Sequence, residues 1–183
     1  MGEKKTILML TGSPRRAGNS SLMADAFVKG AEQAGHSIVR YDTGRMKING
    51  CTACDKCYSK ATACVFEDDF NELAPYIEKA DMIVFATPLY WYTFPAQIKA
   101  AIDKMYSLYV AKRTIKIDQA VMLVCGETDE LPDFDGIVKT YEAIIHLMKW
   151  KNAGIKIVPA VDKIGDIHST NALAEIENMA AKF

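Results

Sequence analysis

Cys51, Cys54, Cys57 and Cys64 follow one another as C-x2-C-x2-C-x6-C, the densest run of reactive side chains in the sequence. Thiolates are soft ligands, and two-residue spacers let three of them converge on one face of a metal group. An iron–sulfur cluster such as [4Fe-4S] needs four thiolates, and the longer last spacer can return the fourth. The run departs from the bacterial ferredoxin spacing, which ends with three residues, a cysteine and a proline. Zinc is a second reading, although its cysteines more often come as two separated C-x2-C pairs. A third is a metal-free loop whose thiols pack as small apolar side chains. The remaining cysteine, Cys125, ends an apolar run and belongs with the core.

Two further segments carry chemistry. Thr11-Gly12-Ser13-Pro14-Arg15-Arg16-Ala17-Gly18-Asn19-Ser20-Ser21 lies between a strand-like run and a helical pattern. Hydroxyls at Ser13, Ser20 and Ser21 can donate to phosphate oxygens, and Gly12 and Gly18 allow close backbone approach. The free N–H groups and positive dipole end of the helix that follows favour an anion, and the Arg15 and Arg16 guanidiniums match phosphate geometry. The loop is neither a G-x-G-x-x-G fingerprint nor a Walker loop, because no G-K-[ST] closes it. Thr87-Pro88-Leu89-Tyr90-Trp91-Tyr92-Thr93-Phe94-Pro95 sets four aromatic residues in one turn. Exposed aromatic surface calls for a cover, either a planar heterocycle that stacks on it or another subunit.

The elements that must position these loops alternate along the chain. Thr6–Thr11, Ser37–Tyr41, Met82–Thr87, Ala120–Cys125 and Gly154–Pro159 read as strands. Between them, helices are predicted over 19–34, from Asp68 or Asp69 as cap to about 79, over 95–109, over 135–149, and over 169–181 capped by Ser169 or Thr170. Strands alternating with helices imply right-handed crossovers and a parallel sheet covered on both faces, an α/β doubly wound fold. Near-continuous apolar strands fit that burial. Five strands fit the order 2-1-3-4-5, in which ligands bind beyond the carboxyl ends of the strands near the point where the order reverses. The loops after the first, third and fourth strands should therefore hold the site.

Composition sets outer bounds. The 183 residues amount to one domain, 1–183, with half of them hydrophobic and a quarter charged. A formal net charge of −1 offers no footprint for nucleic acid or an anionic membrane. No apolar stretch approaches the roughly 18 residues of a membrane span. Met1-Gly2-Glu3-Lys4-Lys5 leads into an apolar run too short for an export signal, and Gly2 lacks the second signal that stable lipid anchoring needs. Clustered rather than dispersed cysteines also point to a reducing, cytoplasmic setting. His36, His146 and His168 have no identifiable partner and read as structural or solvated. The acidic residues Asp129, Glu130, Asp133 and Asp135 read as a solvated turn and helix cap.

GSPRRAGNS followed by TPLYWYTFPAQIKAAIDK resembles the paired signature of NAD(P)H-dependent FMN reductases, a branch of the flavodoxin-like proteins. The resemblance runs in order along essentially the whole chain, including Cys125-Gly126-Glu127-Thr128. It implies a flavodoxin-like three-layer fold and an FMN cofactor. By the same resemblance Ser13, Arg15, Asn19 and Ser20 contact the phosphate, and Pro88, Leu89, Tyr90 and Trp91 the isoalloxazine, with Gly126 and Glu127 close to the ring. The implied reaction is ping-pong: NAD(P)H reduces the flavin, which passes electrons to a small-molecule acceptor such as a flavin or quinone. The protein supplies orientation and no acid–base catalyst. The cysteine segment resembles the compact motif of iron–sulfur flavoproteins, a sub-branch of the family. That implies an electron-transfer module with a ferredoxin-like partner as the alternative function. The family resemblance further implies a homodimer.

Overall fold

The short apolar runs become one sheet in the computed structural model, which describes residues 3–183. Met1 and Gly2, which bear on the export and lipidation reading, lie outside the described residues. The strands are β1 (Thr6–Thr11), β2 (Ser37–Tyr41), β3 (Met82–Pro88), β4 (Gln119–Cys125) and β5 (Lys151–Val158). They pair in parallel in the order β2-β1-β3-β4-β5, the predicted doubly wound arrangement. Right-handed crossovers are what put helices on both faces of such a sheet.

Side-chain alternation along the strands divides the core in two. Leu8, Leu10, Ile83, Phe85, Ala120 and Met122 face α2 (Phe70–Lys79), α3 (Ala96–Lys104), α4 (Tyr106–Val110) and α5 (Asp135–Met148). Ile7, Met9, Met82, Val84, Val121 and Leu123 face α1 (Asn19–Gln33) and α6 (Ala172–Ala180). Every one of these strand side chains is fully buried. The sheet therefore forms a rigid floor from which the carboxyl-end loops project.

Three details differ from the sequence expectation. The predicted helix over 95–109 is two helices, because the chain tightens to i→i+3 hydrogen bonds around Met105. β5 starts at Lys151 rather than Gly154, with a register shift opposite Ala120 and Val121 that leaves Ala153 unpaired. The last helix begins at Ala172, after a 3-10 turn over Asp166–Ser169; the Thr170 hydroxyl accepts the Ala172 N–H at 3.1 Å.

Candidate functional site

A cavity of about 540 Å³ opens at the carboxyl ends of β1, β3 and β4. Ser13, Arg15, Asn19 and Ser20 line one end. Pro88, Leu89, Tyr90 and Trp91 line the other, with Gly126 and Glu127 beside them. All ten residues that the resemblance assigns to FMN are thus brought to one cavity, at the crossover point the sheet order dictates. Arg16 and Ser21 do not line it, and the Ser21 hydroxyl accepts from Arg40 at 2.8 Å.

The first end is built from backbone and hydroxyls. Ser13 Oγ accepts the Arg15 N–H at 3.1 Å, which curls the loop ahead of α1. A 3-10 turn, Thr43–Arg45, backs this loop: the Thr43 hydroxyl donates to the Thr11 carbonyl at 2.7 Å. A Cβ on Gly44 would sit 2.3 Å from the Ser13 carbonyl oxygen, so only glycine lets the two segments touch. Burial opposes ionisation of Asp42, but the Thr11 hydroxyl at 2.8 Å and Arg40 hold its carboxyl below the usual range. Asn19 and Ser20 open α1, and their N–H groups have no acceptor four residues back within the helix. With the helix dipole, Ser20 and Arg15, they make an end suited to an anion.

The Asn19 side chain is committed elsewhere. Its Nδ2 donates to the Lys163 carbonyl at 2.9 Å, and its Oδ1 accepts the Gly165 and Ile167 N–H groups at 3.1 and 3.3 Å. That leaves Asn19 its backbone N–H for a ligand and makes its side chain the tether of the loop after β5. Arg15 reaches the same loop, donating to the Asp162 carbonyl at 3.2 Å.

The aromatic end is a tight turn. Tyr90 and Thr93 exchange two backbone hydrogen bonds of 3.0 Å, with Trp91 and Tyr92 between them at φ of 47° and 64°. Two consecutive left-handed residues are the geometry for which Asn-Gly is the usual sequence. Aromatic residues there carry backbone strain, a feature that marks ligand clamps. Trp91 is 93% exposed. The turn rests on α5, where a Cβ on Gly136 would meet the Tyr92 carbonyl oxygen at 2.5 Å. Leu89 N–H donates to the Cys125 carbonyl at 2.7 Å, locking this loop to the end of β4.

The cysteine segment lies apart from that cavity. All five cysteines are free thiols, and Cys51, Cys54, Cys57 and Cys64 line one small cavity of about 30 Å³ against Lys104 and Ser107. Among the described residues no three His, Cys, Asp or Glu side chains are gathered closely enough to hold a metal ion. The four thiols therefore surround a space rather than close on a point. They are near enough to interact: burial, and then the Cys51, Cys54 and Cys64 sulfurs, push the Cys57 thiol up. Ala53, Asp55 and Tyr58 all have left-handed φ, between 50° and 54°.

Of the two aspartates offered as cap of α2, Asp68 bonds the helix start and Asp69 does not, and both anchor this segment. Asp68 Oδ1 accepts the Phe70 N–H at 3.1 Å, while its Oδ2 takes the Asn49 N–H at 2.9 Å and pairs with Lys104. Asp69 takes the Lys47 N–H at 2.7 Å. The far limb is held by Tyr58, whose hydroxyl donates to Glu78 at 2.8 Å and whose ring lies 5.1 Å from the Arg113 guanidinium. Burial, with Glu78 next, pushes that phenol up to about 12.

Residues 6–128 match the family described as NADPH-dependent FMN reductase. The chain belongs to that family. Within 96 residues this reductase-family chain is 40% identical to an iron–sulfur flavoprotein of Archaeoglobus fulgidus, covering 52% of this chain and 43% of the relative. An iron–sulfur flavoprotein of Methanosarcina thermophila is 30% identical over 95 residues, covering 52% and 49%. The chain spans about half the length of the relatives it matches. In three dimensions it is similar to an NAD(P)H:quinone oxidoreductase from Methanothermobacter marburgensis, with a TM-score of 0.75 and 24% identity over 98% of this chain and 97% of the other. It is also similar to an FMN-dependent NADH-azoreductase from Bacillus anthracis, solved with FMN, with a TM-score of 0.70 and 15% identity over 97% and 98%. At those identities the likeness establishes the fold, which is flavodoxin-like.

The reductase-family cavity is also lined by Tyr92 and Asp133, which the sequence reading did not assign to the ligand, and by Val161 and Asp162, which it did not name. Asp133 is held by the Thr128 hydroxyl at 2.7 Å, so part of the acidic run lines the site while Asp129 and Glu130 are solvated. Val161 and Asp162 arrive only through the Asn19 tether, and their own residue types carry no signal. Cys125 sits at the cavity edge but is buried, and burial pushes its thiol up to about 12, as suits a core residue.

Proposed function

We propose that this chain is an FMN-dependent NAD(P)H oxidoreductase that passes electrons from a nicotinamide to a flavin, quinone or similar small acceptor. One observation carries this reading: a single cavity joins an anion-suited helix start to a strained aromatic turn. That is the shape and donor set a phosphorylated planar ring requires. Bound FMN would supply the redox chemistry, accepting hydride and releasing electrons. Ser13, Ser20, Arg15 and the Asn19 N–H would hold the phosphate, with the Asn19 side chain fixing the wall behind it. Pro88, Leu89, Tyr90 and Trp91 would cover the ring and exclude water, and Gly126 and Glu127 would approach its edge. No side chain is assigned a proton-transfer role.

Purification without oxygen followed by an absorption spectrum tests this directly. A flavin spectrum, released FMN, and NADH or NADPH oxidation with flavin, quinone or nitroaromatic acceptors are the expected results. A colourless protein with no affinity for added FMN would sink the proposal.

A second reading has its own support. Four thiols around one cavity, in a chain whose relatives are named iron–sulfur flavoproteins, favour a [4Fe-4S] cluster held by Cys51, Cys54, Cys57 and Cys64. The chain would then relay electrons between a ferredoxin-like partner and FMN. The small cavity must widen to admit a cluster. The backbone of residues 50–55 makes none of the hydrogen bonds found among the described residues, so that limb can move outward. Anaerobic reconstitution yielding about four irons per chain supports it, and failure to take up iron and sulfide counts against it.

We further propose a single domain over 1–183 that works as a cytoplasmic homodimer. The dimer reading is supported by a largely apolar groove of about 840 Å³, where Ile102, Tyr106 and Tyr109 face Ile144 and Leu147. A monomer in sedimentation equilibrium would overturn it. No helix among the described residues is long and apolar enough to cross a membrane.

A further inference from the structure

Ser107 is a polar side chain with nothing to bind. It is buried, on α4 just past the break at Met105, and its Oγ has no hydrogen-bond partner among the described residues. A buried hydroxyl left unpaired is destabilising, so native structures rarely keep one without a use. Its position gives the use. Ser107 lines the same cavity as Cys51, Cys54, Cys57 and Cys64, of which Cys51 and Cys54 are exposed.

Lys104, one turn earlier, is buried and paired with the buried Asp68 carboxylate, which also holds the Asn49 N–H. Lys104 lies 5.9 Å from the centre of the Phe70 ring. The ammonium is thus paired, and the Ser107 hydroxyl is an uncommitted donor on a residue that lines the cavity. Tight i→i+3 bonds at Met105 separate α4 from α3.

We infer that Ser107 is a positioning residue for an iron–sulfur cluster, its hydroxyl donating a hydrogen bond to a cluster or cysteine sulfur. This rests on the second reading above, in which the four cysteines hold a cluster. Hydrogen bonds to the sulfurs are one of the means by which a protein sets a cluster's reduction potential. A donor stabilises the reduced, more negative form more than the oxidised one, so Ser107 raises the potential. In the metal-free chain the same hydroxyl is a liability, and the sign of its effect on stability reverses with loading.

The test compares wild type, Ser107→Ala and Ser107→Thr as full-length chains, before and after anaerobic reconstitution with ferrous iron and sulfide. Ser107→Ala is expected to take up as much iron as wild type. Its cluster should be about tenfold harder to reduce at a given potential, a shift of about 59 mV for a one-electron couple. Ser107→Thr keeps the hydroxyl and should restore the wild-type value. Pulsed electron paramagnetic resonance of the reduced cluster should show an exchangeable proton coupling that is absent in Ser107→Ala. Without metal, Ser107→Ala should melt at or above the wild-type temperature. Loaded wild type and Ser107→Ala with equal potentials and the same exchangeable coupling would overturn the inference while leaving the cluster intact. A wild-type chain that takes up no iron and sulfide overturns the cluster reading itself, and the inference with it.

Discussion

The Asn19 side chain makes three hydrogen bonds, all of them inside the protein, to Lys163, Gly165 and Ile167. Ser20, its neighbour, is equally buried yet lines the cavity without such a tether. The two positions should therefore separate stability from binding. Asn19→Ala leaves a carbonyl and two N–H groups unpaired and is expected to cost about 1–3 kcal/mol, read as a lowered denaturation midpoint. Ser20→Ala should leave that midpoint nearly unchanged and weaken FMN about tenfold, measured by fluorescence titration, as fits loss of one charge-assisted hydrogen bond. The residue types of this loop announced anion binding in the sequence. Which side chains reach the ligand depends on contacts made more than a hundred residues away, and spacing cannot report those.

Elements were legible where burial dictates the residue type. Apolar runs of β1, β3 and β4 could only be buried strands, and the loops beyond them inherit their place from the sheet order. The break of the 95–109 helix was not legible, because Met105 is a good helix former and is buried in the core, where tertiary packing overrides propensity. The aromatic turn makes a prediction at this scale. Replacing Trp91-Tyr92 with Asn-Gly puts residues that tolerate left-handed φ where the backbone already adopts it. The apo chain should gain about 1–2 kcal/mol, seen as a higher urea midpoint at constant slope, and FMN binding should weaken. The pairing of α3 with the start of α2 makes another. Lys104→Met strands the Asp68 carboxylate, 2% exposed, without its counter-charge. About 3–5 kcal/mol of stability should be lost in denaturant titrations, and adding Asp68→Asn should recover part of it.

At the scale of the molecule, stability should depend on pH through His36. Its Nδ1 accepts the Lys5 N–H at 3.2 Å, and its Nε2 is buried with no partner among the described residues. Burial, and then the Lys5 charge, hold its pKa below the ordinary value of 6.5. Above that value both folded and unfolded chains carry neutral His36, and it contributes no slope. Below it the unfolded chain takes up the proton first, so stability falls as pH drops. Thermal melts from pH 8 to pH 5 should show that decline, and His36→Gln should flatten it. An unchanged slope in the variant would remove His36 from the account.

The exposed turn has an optical consequence. The chain has two tryptophans: Trp150 is 5% exposed in the core, and Trp91 is 93% exposed at the mouth of the cavity. Their emission should split into a blue component that follows global unfolding and a red component that follows the turn alone. Excitation at the red edge then selects a built-in reporter whose signal changes when the cavity fills, before any label is attached.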